Sequence, residues 1–123
     1  MVMHGSSSVP RELVERINAA GGRLESTFGV PVEEIQQGIR HGVRKVNVDT
    51  DGRLAITAAL RESLNASPAE FDPRAFFKPA RAAMSEVVAQ RMRDFGSAGH
   101  AGDYDVLTLE EMASRYVGSP VGA

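Results

Sequence analysis

Two stretches decide how this chain reads: Met1-Val2-Met3-His4-Gly5-Ser6-Ser7-Ser8 and Val43-Arg44-Lys45-Val46-Asn47-Val48-Asp49-Thr50-Asp51. Each opens on apolar, largely β-branched residues and closes on polar ones just ahead of a helical pattern. Strands whose carboxyl ends carry polar loops leading into helices form the ligand-binding side of a β/α protein. The fold class expected is therefore α/β, with ligand groups at the carboxyl ends of two parallel strands. Nothing ahead of Met1 supplies further units of this kind, so the chain reads as part of a larger fold.

Working outward, the first strand is expected over Val2–His4. Pro10 suits the first turn of a helix, where a missing N–H costs nothing. Leu13, Val14, Ile17 and Ala20 then share a face until Gly21-Gly22 stops it. Residues 23–31 read as a surface loop. Pro31 opens a second short helix with Glu33 and Glu34 in its first turn, where acids suit the helix dipole. Ile35 and Ile39 are its apolar side, and His41-Gly42 ends it.

The second strand is expected over Val43–Val48. Thr50 or Asp51 would cap a helix through about Asn65, with Leu54, Ala58, Ala59, Leu60 and Leu64 towards the core. Asp72-Pro73 predicts the start of a long helix to about Phe95, with Phe77, Ala80, Met84, Val88 and Phe95 at helical spacing. Residues 96–103 form a glycine-rich break. Thr108-Leu109-Glu110-Glu111 fits a capping box, and Met112 and Tyr116 are placed to dock the last helix. Ser119 to Ala123 reads as a small-residue tail that frays.

Composition sets limits. The chain has 123 residues, 42% of them hydrophobic, and a formal charge of −2. That is ordinary soluble material for one domain at most, with no basic surplus to suggest nucleic acid or an anionic membrane. No apolar run approaches the ~20 residues of a membrane span, and no signal peptide precedes the first polar loop. Without cysteine there is no disulfide framework and no thiolate metal site. Any metal must be held by histidine and carboxylates, and a cytoplasmic setting is the default.

The ligand chemistry sits in the two short loops. In Gly5-Ser6-Ser7-Ser8 the glycine lets backbone amides turn inward and the serines add hydroxyl donors. A following helix N-terminus contributes partial positive charge, which together makes a phosphate cradle. The same stretch also reads as a plain helix-capping loop. In (β/α)₈ barrels the phosphate site is frequently built by the loops after the seventh and eighth strands. His4, at a strand end beside that loop, reads either as a hydrogen-bonded structural residue or as a ligand. His41 and His100 lack such company and read as solvated. Asp49 to Asp51 suit a helix start, whereas Asn47 is an amide inside an apolar strand and needs a partner when buried.

At this point the residues carry a resemblance. M-H-G-S-S-S-V-P from Met3 resembles class II fructose-bisphosphate aldolase, as does G-V-P-V-E-E-I-Q-Q-G-I-R-H-G-V-R-K-V-N-V-D-T-D-G-R-L-A from Gly29. F-D-P-R-A-F-F-K-P-A-R-A-A-M from Phe71 resembles the same family, nearest to its Calvin-cycle subtype. The similarity runs from Val2 to Tyr116. It covers the last third of the family's TIM (β/α)₈ barrel, about the last two βα units plus C-terminal helices. On that basis residues 1–123 form a partial aldolase domain with a helical extension from about residue 68.

The resemblance implies a Zn²⁺-dependent lyase that reversibly cleaves fructose 1,6-bisphosphate to dihydroxyacetone phosphate and glyceraldehyde 3-phosphate, in glycolysis, gluconeogenesis or the Calvin cycle. By position, His4 matches the last of the family's zinc-binding histidines. Gly5, Ser6 and Ser7 match the loop holding the dihydroxyacetone-phosphate end. Asn47, Val48, Asp49 and Thr50 match the loop after the eighth strand, with Asn47 at the reacting carbon–oxygen region and Asp49 and Thr50 on phosphate. Lys78 stands where related enzymes carry an arginine reaching the other phosphate, often across a subunit boundary, and Arg81 or Arg74 could substitute. A phosphorylated sugar as substrate and a homo-oligomeric parent follow from the same likeness.

The departures set further expectations. The family's acid/base aspartate and its other zinc-binding histidines lie on earlier strands that this sequence does not contain. One histidine cannot close a zinc site that takes three or four protein ligands. The chain therefore reads as a truncated or split product, inactive alone and without a catalytic residue of its own. Two other readings stay open: a non-catalytic remnant serving as an interaction module, and a parent acting on tagatose or sedoheptulose bisphosphate.

Overall fold

The computed structural model describes residues 1–25 and 27–117; the expected frayed tail from Ser119 lies outside the described residues. The elements run β1 (Val2–Met3), α1 (Arg11–Ala19), α2 (Val32–Arg40), β2 (Lys45–Val46), α3 (Thr50–Ala66), α4 (Pro73–Asp94) and α5 (Leu109–Val117). β1 and β2 pair in parallel, Val2 opposite Lys45 and Met3 opposite Val46. The expected adjacent, parallel strands are therefore present, but shorter than predicted. The pairing extends through Arg44 N–H to the Met1 carbonyl at 2.9 Å, Asn47 N–H to the Met3 carbonyl at 3.2 Å and the Met1 ammonium to the Gly42 carbonyl at 3.2 Å. A two-stranded ribbon gives each strand one neighbour, so little beyond those bonds holds residues 43–48 extended.

The crossover from β1 to β2 contains two helices. The Pro10 carbonyl accepts from Leu13 N–H at 3.0 Å, which places proline just ahead of α1 rather than within it. Leu13, Ile17 and Ala20 are buried as their spacing requires. Gly21 ends the helix at φ +82°, a conformation that favours glycine. In α2, Pro31 plays the same role, and Ile35 is wholly buried.

The core lies between α1, α3 and α4. Leu13, Ile17, Ala55 and Ala58 form its centre, with Leu54, Ala83 and Val87 packed against them. Here α3 departs from its predicted face. Its buried residues are Asp51, Gly52, Ala55, Ala58 and Ala59, while Leu64 is 43% exposed and Leu60 only half-buried. Small residues let the α3 and α4 backbones approach closely; a Cβ on Gly52 would stand 2.4 Å from Met84 Sδ. On α4 the inward face runs through Ala80, Ala83, Met84, Val87 and Arg91, so Phe77 and Val88, expected inside, lie exposed.

The helix caps follow the sequence more closely. Asp72 accepts from Arg74 N–H at 2.9 Å at the start of α4. Thr108 and Glu111 cap α5 reciprocally, by Thr108 N–H to Glu111 Oε2 at 2.8 Å and Glu111 N–H to Thr108 Oγ at 3.2 Å. At α3, in contrast, Asp49 occupies the cap position, not Thr50 or Asp51. The docking expected of α5 is not seen among the described residues: the helix buries no residue, and Tyr116 is exposed. Its capping box is local chemistry that needs no tertiary partner. No helix among the described residues is long and apolar enough to cross a membrane.

Candidate functional site at the strand ends

Parallel pairing puts the carboxyl ends of β1 and β2 side by side, and the two loops that follow meet there. His4 Nδ1 and Asn47 Nδ2 lie 2.7 Å apart. With the Asn47 amide donating, Nδ1 is the acceptor and the ring proton sits on Nε2. With the amide turned over, Nδ1 donates and the Nε2 lone pair faces outward. Either way, the amide fixes the imidazole against the second strand. Asn47 thereby has the partner that an amide in an apolar strand requires.

The serines fasten the loops in succession. Ser6 is buried, and its Oγ lies 3.2 Å from the Met3 carbonyl and 3.1 Å from that of Asn47. Its hydroxyl is used within the fold, so towards a ligand Ser6 offers its backbone. Ser7 Oγ accepts from the amides of Asp49 at 3.1 Å and Thr50 at 3.3 Å, the donors at the amino end of α3. These amides are the ones an anion would use, with the helix dipole behind them. The Asp49 carboxylate turns away and pairs with Arg53 at 2.7 Å. Gly5 turns the loop at φ +63°; no atom lies within 4 Å of where its Cβ would be, so conformation rather than space requires glycine there.

Ser8 joins a network the sequence did not reveal. Its hydroxyl donates to Asp51 Oδ2 at 2.7 Å, and Arg91 Nη2 donates to Ser8 Oγ. Arg91 Nε reaches the same Asp51 oxygen at 2.8 Å, and Nη1 reaches Asp94 Oδ2 at 2.7 Å. Asp51 is fully buried, and its Oδ1 has no hydrogen-bond partner among the described residues. Burial alone would lower the Arg91 pKa, but the bonds to Asp51 and Asp94 outweigh it and hold the guanidinium above its ordinary value. Asp51 had suggested a helix cap. The missed signal was Arg91 itself, a charged residue eleven positions after Ala80 on the inward face of α4.

Lys78 does not join this group. It is exposed on α4, six residues before Met84, a separation of ~9 Å along the axis. Arg74 is committed to Asp72 through Nη2 at 2.6 Å. His41 is exposed, and His100, read as solvated, has Nδ1 against Asp103 Oδ2 within its exposed loop.

For a metal, His4 is the one histidine at the strand ends. No group of three or more histidine and carboxylate side chains is assembled among the described residues. A single imidazole is one donor where zinc takes three or four, so these residues do not fit a complete zinc site by themselves.

A family model described as Fructose-bisphosphate aldolase class-II matches residues 1–100. The chain belongs to that family. It is 54% identical over 123 residues to a fructose-bisphosphate aldolase of Nostoc sp. (strain PCC 7120), covering all of this chain and 34% of that one. Over 116 residues it is 57% identical to the fructose-bisphosphate aldolase of Rhizobium meliloti (strain 1021), covering 94% of this chain and 32% of the relative. Against that of Xanthobacter flavus the figures are 55% over 116 residues, 94% and 33%. The chain thus spans about a third of the length of the aldolases it matches. The strand-end loops lie wholly inside the matched region.

Proposed function

We propose that this chain forms the dihydroxyacetone-phosphate side of a class-II aldolase active site, within a protein that cleaves fructose 1,6-bisphosphate reversibly. The observation that carries this is the meeting of two loops more than forty residues apart. There His4 abuts Asn47, and Ser7 sits on the amides of Asp49 and Thr50. Gly5, Ser6 and Ser7 with the backbone of Val48, Asp49 and Thr50 bind the phosphate. The phosphate takes over the Asp49 and Thr50 amides that Ser7 Oγ holds in its absence, while the Ser7 hydroxyl turns to donate to it. Asn47 orients His4 and donates to the reacting carbon–oxygen region. Lys78 serves the far phosphate, and only with neighbours outside this chain.

His4 is proposed as one metal ligand, the remaining ligands and the acid/base carboxylate coming from outside these residues. When bound, zinc supplies the Lewis acidity for such a cleavage. The residues here contribute binding, orientation and one donor. The resemblance to barrel enzymes supports a place for β1 and β2 as neighbouring strands of a larger parallel sheet.

The test is reconstitution. The purified chain should turn over no fructose 1,6-bisphosphate, because residues that act as a unit do not function singly. Supplied with a polypeptide carrying the family's preceding βα units, it should gain zinc-dependent cleavage. There His4→Ala should lose zinc and turnover together. Ser7→Ala should keep its zinc and bind substrate about ten- to a hundredfold more weakly, as loss of one hydrogen bond implies. A His4→Ala complex with full zinc and turnover would refute the ligand assignment.

A further inference from the structure

The Ser8–Asp51–Arg91 network lies directly behind the proposed phosphate cradle. Ser7 and Ser8 are consecutive, and so are Thr50 and Asp51. The Ser7 contact to Asp49 and Thr50 and the Ser8 contact to Asp51 are therefore adjacent ties between the same two loops. Arg91 closes the second tie from a third element, since one guanidinium holds Ser8, Asp51 and Asp94. Its side chain is 14% exposed, and that of Asp51 is 0%.

A carboxylate in the first turn of α3 favours the helix dipole, yet it opposes any anion brought to the same amides. With Arg91 present, the cluster of Asp51, Asp94 and Arg91 carries one net negative charge. Without it the cluster carries two, the nearer one buried beside the cradle. Buried charge is poorly screened, so this difference would be felt by a bound phosphate.

We propose that Arg91 is a positioning residue for the cradle. It balances the buried Asp51 carboxylate and holds Ser8, keeping the Gly5–Ser7 loop and the amino end of α3 in register and receptive to an anion. Arg91 touches no ligand-facing group itself. Arginine suits the task because its planar fork reaches three acceptors in different directions, which the lysine point charge does not. The inference rests on the phosphate reading of the strand-end loops given above.

The test follows inorganic phosphate binding to the 123-residue chain by amide resonances of residues 5–7 and 49–50. In the unmodified chain those resonances should shift and saturate. Arg91→Met should raise the phosphate dissociation constant about tenfold or more, and Arg91→Lys should fall between. In the Asp51→Asn background, adding Arg91→Met should change it by no more than about threefold, because the carboxylate through which Arg91 ties the two loops is already gone. A purely structural role for Arg91 would give the same loss in both backgrounds, and that result would overturn the proposal. So would phosphate binding by Arg91→Met equal to that of the unmodified chain. If Arg91→Met fails to fold, Arg91→Lys decides: unaltered phosphate affinity and unmoved cradle amides would also overturn it. Failure of phosphate to shift the cradle amides of the unmodified chain would instead remove the cradle reading itself.

Discussion

Gly29→Ala should loosen the fold at the cradle, although the residue lies in a loop that its sequence marks as a featureless surface connection. A Cβ there would stand 2.4 Å from Val9 N, 2.5 Å from the Ser7 carbonyl oxygen and 2.8 Å from Ser8 C. All three are backbone atoms, so no side-chain rotation relieves the contact. The segment must move off the serine loop by the better part of an ångström. That movement strains packing by ~1–3 kcal/mol. It also breaks the bond from Val30 N–H to the Ser7 carbonyl, now 3.3 Å, which is worth ~0.5–1.5 kcal/mol. Alanine stiffens the unfolded chain and returns ~0.4–1 kcal/mol. The net loss is roughly 1–3 kcal/mol, or a melting temperature lower by about 4–12 °C. Gly102→Ala is the control, because no atom lies within 4 Å of its added Cβ, and it should stay within ~0.5 kcal/mol of the parent. Thermal and urea melts of the two variants, with amide shifts at Ser7 to Val9, measure the effect. A Gly29→Ala chain that melts with the parent and leaves those amides unmoved would refute the reasoning.

Other outcomes follow from the core and the surface ion pairs. Ile17→Ala, at 1% exposure, should lose ~2–5 kcal/mol in a urea titration, whereas Leu64→Ala, 43% exposed, should lose ~0.5 kcal/mol or less; equal losses would mean that the core is misplaced. The hydrogen bond from Arg16 holds the Glu62 carboxyl below its ordinary value. Its contribution is therefore present above the usual carboxylate range and lost as pH falls through the depressed value. Glu62→Gln should remove that contribution at neutral pH and converge with the parent in acid, so that its stability–pH profile has a flatter acid limb. The effect is small, since both partners are more than a third exposed.

Much of this was legible locally. Asp72 and the Thr108–Glu111 pair cap their helices as their spacing announces, because capping is settled within one turn. The placement of His4 beside Asn47 was readable from polarity at two strand ends. What escaped was non-local. The face of α3 turns on how near α4 can come, so alanines displace Leu64 from the core. Asp51 looks like a cap until Arg91, forty residues on, is seen to meet it. α5 shows the converse, an amphipathic pattern that buries none of its residues. Periodicity reports that a face is apolar, not that anything covers it.

The parallel pairing of β1 with β2 also bears on the order in which the molecule assembles. α3 and α4 are successive helices, so their contacts close a short loop and can form early. The sheet and the ties from Ser6, Ser7 and Ser8 join residues 41 to 43 positions apart, across two intervening helices. Such distant contacts incur a larger closure entropy before they are rewarded. The helical pair should therefore protect its amides from solvent exchange first, and the strand-end loops last. The ligand-facing part of the chain is then also its most readily opened part. A bound anion, by holding both loops at once, would slow that opening without adding a single contact to the core.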